Sequence, residues 1–218
     1  MEFIHTKDPV LYPAALSLME ERVANIRHGS DQECVWLLEH PPLYTAGTSA
    51  KDDGLVSSRF PVFETGRGGE YTYHGPGQRV AYVMLNLMKY QKAPDIKQYI
   101  WLLEEWIIQT LRHFDIHGER RTGRVGIWVI GKDGREAKIA AIGVRIRHWI
   151  TFHGISINVD PDLSHFDGII PCGIREFGVT SMAKELGRSI DLRELDAVLE
   201  CEFEKVFAVL LTLQDVRG

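Results

Sequence analysis

Val125-Gly126-Ile127-Trp128-Val129-Ile130, Gly131-Lys132-Asp133-Gly134 and Ala137-Lys138-Ile139-Ala140-Ala141-Ile142-Gly143-Val144-Arg145-Ile146 read as two strands joined by a tight turn. β-branched and aromatic residues fill the arms, and the glycine-flanked turn between them is a hairpin signature. Thr151 to Val159 alternates as a third strand that pairs with the second arm. Period-two alternation along that arm puts Lys138 on one face with Ala140, Ile142, Val144 and Ile146. A lysine in an apolar row has two readings. It is an edge or strand-end side chain that snorkels to water, or an ammonium in a partly dry site, where it stabilises an anion or gives up its proton.

Upstream, Arg67-Gly68-Gly69-Glu70-Tyr71-Thr72-Tyr73-His74-Gly75-Pro76-Gly77-Gln78 places four glycines and a proline between a short strand, Val62-Phe63-Glu64, and a longer one, Arg79 to Leu87. Glycine admits positive φ and close approach of another group, so this density reads as a loop shaped around a ligand or as a wide β-turn with a bulge. It lacks the Gly-Lys-Ser/Thr ending of a P-loop and the third glycine of the dinucleotide fingerprint. Glu33 to Leu38 reads as a buried strand ended by Glu39-His40-Pro41-Pro42, with Cys34 as a small core residue. Thr45 to Phe60 reads as a long surface loop of the kind that borders sites.

Four helices are predicted, three long and one short. Asp8-Pro9 caps the first, whose apolar positions Leu11, Ala15, Leu18, Met19, Val23 and Ile26 run to Gly29. Asp95 caps the second, with Ile96, Tyr99, Ile100, Leu103, Ile107, Leu111 and Phe114 on one face and Gly118 as its stop. His113 and His117 are four apart without a third ligand, and read as histidines near a helix C-terminus. Asp160-Pro161-Asp162 turns the chain, Thr180 or Ser181 caps a short helix that Gly187 ends, and Leu192 to Leu211 is the last long helix, with Cys201 as a structural residue inside it. Strands grouped as hairpins with helices between and after them predict an α/β fold. The form expected is an α+β mixed sheet in one layer with packed helices, residues 1–218 making a single domain.

At 218 residues, 44% apolar, 25% charged and a formal charge of −5, the chain offers no footprint for nucleic acid. Cys34, Cys172 and Cys201 are odd in number and widely spaced, which argues against a disulfide framework or zinc knuckle and for a reducing compartment. Met1 to Asp8 has no apolar h-region, and no run approaches membrane-spanning length, so a cytoplasmic protein is expected. In Ile169-Ile170-Pro171-Cys172-Gly173-Ile174 a cysteine sits between proline and glycine, outside any helical or strand period.

Six ordered motifs carry a resemblance. They are Glu39-His40-Pro41-Pro42-Leu43-Tyr44-Thr45, Arg67 through Gln78, Lys138 through Arg145, His153-Gly154-Ile155-Ser156-Ile157-Asn158-Val159, Pro171-Cys172-Gly173-Ile174 and Val179-Thr180-Ser181. The chain resembles the lipoyl(octanoyl) transferases from Glu33 to Lys184. The resemblance implies the fold of biotin and lipoate protein ligases. It implies transfer of an octanoyl group from octanoyl-acyl carrier protein to a lysine of lipoyl domains, those of 2-oxoacid dehydrogenase E2 subunits and the glycine cleavage H protein. It implies no cofactor, ATP or metal, and a monomer is expected.

The family's catalytic pair falls on Cys172 and Lys138. Its substrate contacts fall on Arg67, Gly68, Gly69, Glu70, Tyr71, Thr72, Tyr73 and His74, on Ala141, Ile142 and Gly143, and on Gly154, Ile155 and Ser156. An ATP-dependent ligase of the same fold, a thioesterase and a binding module without chemistry are the alternatives.

The chemistry is consistent with that pair. A thiol of pKa ~8.5 is mostly protonated at neutral pH, and a neighbouring ammonium favours the nucleophilic thiolate. The tetrahedral oxyanion needs preorganised donors such as backbone N–H groups. The incoming amine needs a base, for which Lys138 is the first candidate and His74 or His153 are weaker ones that are equally well explained as hydrogen-bonded loop and strand histidines. The acyl chain, worth roughly 0.8 kcal/mol per buried methylene, needs a dry channel. Apolar residues and glycines around Tyr73, Ile142 and Ile155 are expected to line it. Arg145, Arg147 and His148, or Arg120 and Arg121, are candidate docking patches for an acidic carrier.

Overall fold

The computed structural model describes residues 1–90, 94–131, 134–170 and 177–211. Cys172 and the hairpin residues Lys132 and Asp133 lie outside the described residues. In chain order the elements are β1 (Glu2–His5), α1 (Tyr12–His28), β2 (Cys34–Leu38), β3 (Leu43–Ala46), β4 (Val62–Glu64), β5 (Tyr71–His74) and β6 (Gln78–Met84). There follow α2 (Leu87–Tyr90), α3 (Ile96–His113), β7 (Glu119–Arg121), β8 (Arg124–Ile130), β9 (Glu136–Arg147) and β10 (Ile150–Asn158). The chain continues with β11 (Gly178–Val179), α4 (Met182–Leu186) and α5 (Leu192–Leu211).

The main sheet runs β1-β2-β6-β10-β9-β8-β7, with β11 added in parallel beside β9. β1 joins β2 in parallel, and β2, β6, β10, β9 and β8 follow one another antiparallel. β2 and β6 are buried at every position, which explains why Cys34–Leu38 and, after the buried polar pair Gln78 and Arg79, the rest of β6 are continuously apolar rather than alternating. Val35, Leu37, Ala81, Val83, Ile155 and Ile157 face α3 and α5, where Leu103, Trp106, Leu199 and Phe203 complete the larger core. Cys34, Trp36, Leu38, Val80, Tyr82 and Met84 face α1 on the opposite side, against Ala15, Met19, Val23 and Ile26. This is the expected mixed sheet with packed helices, and Cys34 is the buried core residue the sequence indicated. Among the described residues no helix is long and apolar enough to cross a membrane.

Several local readings are corrected. A second sheet, β4-β3-β5, lies outside the single expected layer. It takes Leu43–Ala46 from the edge of the supposed surface loop and Tyr71–His74 from the middle of the glycine-rich stretch. α1 starts at Tyr12 without a side-chain cap. The chain before it stays extended because Thr6 N–H and Val10 N–H donate to Leu37 and Glu39 carbonyls, so Asp8-Pro9 precedes the helix, and Leu11 and Leu18 are exposed. α3 begins as expected, with Asp95 accepting from the Lys97 N–H, but it ends at His113 before Asp115 turns with φ 59°, so Gly118 is not its stop. Ser181 caps α4 and Gly187 ends it. Cys201 is exposed on α5, not packed inside.

Candidate active site

Two breaks in strand alternation build one cavity. Ile127 of β8 pairs with Ala140 of β9, whereas its neighbour Trp128 pairs with Lys138, so Ile139 is an extra residue on β9. Such a bulge re-aims the side chains beside it. Ile139 and Ala140 both join the α3/α5 core, while Lys138 is turned to the opposite face, towards Trp128. The expectation that Lys138 shares a face with Ala140 and Ile142 is therefore corrected, and so is the snorkelling reading: Lys138 is 6% exposed. The second break is His153, whose φ of 61° lies in the left-handed region. Its imidazole packs on Tyr82 and Phe152 on the α1 side, although its alternation with Ile155 and Ile157 would send it to the other core.

Between these two side chains the sheet face is stripped to Ala141, Gly143, Gly154 and Ser156, which with Ile142 and Ile155 line the cavity. The rim opposite is the chain around Arg67. A Cβ on Gly143 would lie 2.8 Å from Arg67 Cδ, so the glycine is needed for the arginine to lie across β9. Arg67 is buried and its guanidinium donates to the carbonyls of Thr45, Gly68 and Glu70 and to Thr45 Oγ1 at 2.6–3.1 Å. These bonds commit it to the shape of the turn. Gly69, Glu70, Tyr71, Thr72 and His74 complete that wall, and Lys138 sits where this cavity meets a smaller one bounded by Gln78, Asn158, Phe166 and Val179.

Two of the sequence-derived positions do not line the cavity. Gly68 donates its N–H to the Val144 carbonyl. Tyr73 is turned into a separate aromatic cluster and its hydroxyl meets His165 Nδ1 at 2.7 Å. The structure adds Tyr12, Thr45, Val80 and Tyr82. Alternation within Leu43-Tyr44-Thr45-Ala46 is a signal that would have found Thr45, and an isolated glycine in the strand pattern Val125-Gly126-Ile127 is a signal for the bulge.

The histidines are held neutral. His74 is driven well below the usual imidazole value by burial, with His40 and Arg67 adding repulsion, while its hydrogen bond to Gln78 works the other way. Its Nδ1–H donates to Gln78 Oε1 at 2.7 Å, and Gln78 passes the chain on to Asn158 Oδ1 at 2.9 Å. His153 is lowered to about 3, chiefly by burial and then by Arg67 and Arg145. Its Nε2 lies 3.1 Å from the Tyr12 hydroxyl, whose pKa burial raises to about 12, and its Nδ1 is unpartnered among the described residues. Both are poor bases at neutral pH. Among the described residues no three His, Cys, Asp or Glu side chains gather as a metal site.

The segment 171–176 that contains Cys172 lies outside the described residues, but its flanks are fixed. Ile170 N–H donates to the Gly54 carbonyl, and Thr180 N–H donates to the Lys138 carbonyl where β11 pairs with β9.

The family described as lipoyl protein ligase A/B catalytic domain matches residues 12–204. The chain belongs to that family. The lipoyl protein ligase A/B family includes close relatives of this chain. An octanoyltransferase of Paramagnetospirillum magneticum is 61% identical over 208 residues, covering 95% of this chain and 97% of the relative. One of Rhodospirillum rubrum is 58% identical over 95% of each. Among solved structures, lipoate-protein ligase A bound with ATP superposes with a TM-score of 0.71 at 15% identity, over 99% of this chain and 94% of that one. Biotin protein ligase of Aquifex aeolicus gives 0.55 at 12% identity, over 95% and 69%. These likenesses show the ligase-type fold.

Proposed function

We propose that the protein is an octanoyltransferase that moves an octanoyl group from acyl carrier protein to a lysine of lipoyl domains. The observation that carries the reading is Lys138, a buried lysine aimed by a bulge into a small-residue-floored cavity. The names of relatives at 58–61% identity support the substrate class. Residues 1–218 are taken as one catalytic domain acting as a monomer in the cytoplasm.

Cys172 is assigned as the nucleophile on the family resemblance. Its thiolate attacks the octanoyl thioester carbonyl, a tetrahedral intermediate forms, and the carrier thiolate leaves and takes a proton from the Lys138 ammonium. The acyl group keeps its thioester activation on Cys172. The acceptor lysine amine then attacks, gives a proton to the neutral Lys138 amine, and expels the Cys172 thiolate as the amide forms. Lys138 thus ends each cycle as it began. Ala141, Gly143, Gly154 and Ser156 leave room beside the sheet for the acyl chain, a passage that bulkier side chains would fill. His74 and His153, held neutral by burial, line the passage without adding charge to an apolar guest.

Intact-mass analysis after mixing with octanoyl-acyl carrier protein tests the reading. A single octanoyl adduct is expected on the parent, absent from Cys172→Ser, and discharged by a lipoyl domain without ATP. Labelling of the lipoyl domain that requires ATP and shows no adduct would replace the transferase with a ligase.

The docking patch is narrowed by its counter-ions. Arg120 is bound to Glu104 and Glu105, and Arg121 to Glu119 and Glu136, so neither offers free charge. Arg145, Arg147 and His148 share a groove with Arg27 and His28, facing one carboxylate, Glu20. Reversing Arg145 and Arg147 to glutamate is expected to raise the KM for the acyl carrier about tenfold at low salt with kcat retained, since charge complementarity mostly governs encounter. An unchanged KM at low salt would reject this patch.

A further inference from the structure

The bulge explains which way Lys138 turns, but not what receives it. We propose that Gly126 and Trp128 of β8 form a seat that fixes the Lys138 ammonium at the reacting centre, which makes them positioning residues for the transfer. The inference rests on the reading of Lys138 given above.

Three observations converge. A Cβ at Gly126 would lie 2.5 Å from Lys138 Cε, 2.7 Å from the Ala140 carbonyl oxygen and 3.0 Å from Nζ, so the lysine stem and the β9 backbone beside it fill the space where any other residue at 126 would carry its side chain. The backbone there has φ 115°, which L side chains rarely adopt. Lys138 Nζ also lies 5.4 Å from the centroid of the Trp128 ring, within cation–π range, and Trp128 is the residue paired with Lys138 across the strands.

The indole itself is immobilised. It is 2% exposed, its Nε1–H donates to the Arg124 carbonyl at 3.2 Å, and Phe177 packs edge-on at 5.5 Å between centroids. The Arg124 guanidinium lies 4.5 Å from the indole and 4.1 Å from the Phe177 ring. One strand therefore carries an additional residue, Ile139, while the facing strand omits a side chain at 126 and presents a fixed aromatic face at 128. A lysine is a flexible four-carbon stem with a point charge at its end. Removing its alternative positions benefits a group that must meet a thioester and then an amine within hydrogen-bond reach.

The test compares Trp128→Leu, Trp128→Phe, Gly126→Ala and Lys138→Ala in steady-state transfer, with a thermal melt on each and a pH–rate profile for the parent and both Trp128 variants. Trp128→Leu is expected to lower kcat about tenfold, the worth of a desolvated cation–π contact, with KM for both substrates unchanged and the profile displaced along the pH axis. Trp128→Phe, which keeps a ring, should recover most of that loss. Gly126→Ala should lose about 100-fold in kcat, as displacing a reacting group by an ångström does. A Trp128→Leu enzyme that melts like the parent and keeps its kcat and pH profile would overturn the seat, as would a Gly126→Ala enzyme that loses Tm but no kcat. Should Lys138→Ala itself keep the parental kcat, the reading of the site falls and the seat with it.

Discussion

Replacing Lys138 with alanine is expected to slow overall transfer by about 10³-fold, within the range that a positioned acid or base contributes. In the proposed mechanism two chemical steps depend on this one side chain: it protonates the departing carrier thiolate in the first and accepts the acceptor's proton in the second. Lys138→Arg separates them. A guanidinium supplies charge but does not deprotonate in proteins, so this variant is expected to retain part of acyl-enzyme formation and to fail in discharge to the lipoyl domain. Single-turnover mass analysis of both half-reactions reads the difference. Discharge from Lys138→Ala at the parental rate would remove the lysine from the mechanism, whatever the steady-state rate shows.

The second large effect is on stability below neutral pH. His74 and His153 are buried and their pKa values are lowered, His153 to about 3. An unfolded chain protonates its histidines near pH ~6.5, so below that value the unfolded state binds protons that the folded state refuses. The slope of unfolding free energy against pH is therefore positive in this window. The stabilisation is complete above about pH 6.5 and is lost progressively towards the folded value, at about 1.4 kcal/mol per pH unit for each imidazole. For His153 alone the loss at pH 5 is about 2 kcal/mol, a sizeable part of the ~5–15 kcal/mol available to a domain, and His74 adds to it in the same direction. Denaturant midpoints at pH 7, 6 and 5 measure it. His153→Gln should flatten part of the dependence, the remainder coming from His74 and His40, whose pKa values burial also lowers, and a parent whose midpoint does not move between pH 7 and 5 would contradict the assignment. Most carboxylates titrate below this window, which keeps the two contributions apart.

The α3 helix was legible in sequence because its apolar positions follow one face, and the β8–β9–β10 run because β-branched and aromatic arms flank a glycine-bounded turn, even though β9 and β10 each break their alternation once. Of the short strands, Val62–Glu64 was legible but others were not. β1, β3, β5 and β11 hold two to four residues each, and their state is set by distant partners: β3 by β4 and β5, and β11 by β9. Asp8-Pro9 looked like a helix start because cap chemistry is local, whereas the bonds that keep those residues extended come from the end of β2 and Glu39.

The site was legible as a set of positions but not as an arrangement. Arg67, Lys138, Gly143, Gly154 and Ser156 do share one cavity. The direction of Lys138 was misread because alternation assumes an unbroken ladder, and Ile139 breaks it. Tyr73, placed near the channel by its motif, alternates to the far face of β5 and bonds His165.

The extra residue at Ile139 also changes what counts as a neutral edit to this chain. Ile139 is fully buried in the α3/α5 core and lines no part of the cavity, so by contact alone it is packing. Deleting it would leave Lys138 and Ala140 adjacent and on opposite faces, as they now point, whereas lengthening β8 by one residue opposite Ile139 would restore unbroken alternation and carry the Lys138 ammonium to the face of Ala140, among the aliphatic side chains that α3 and α5 cover. What the strand hands down is therefore a count of residues as much as their identities. Loss of Ile139 is expected to cost core packing and spare the direction of the lysine, whereas a homologue or design with every candidate site residue in place and β8 made one residue longer to match β9 is expected to keep the fold and lose the proposed chemistry.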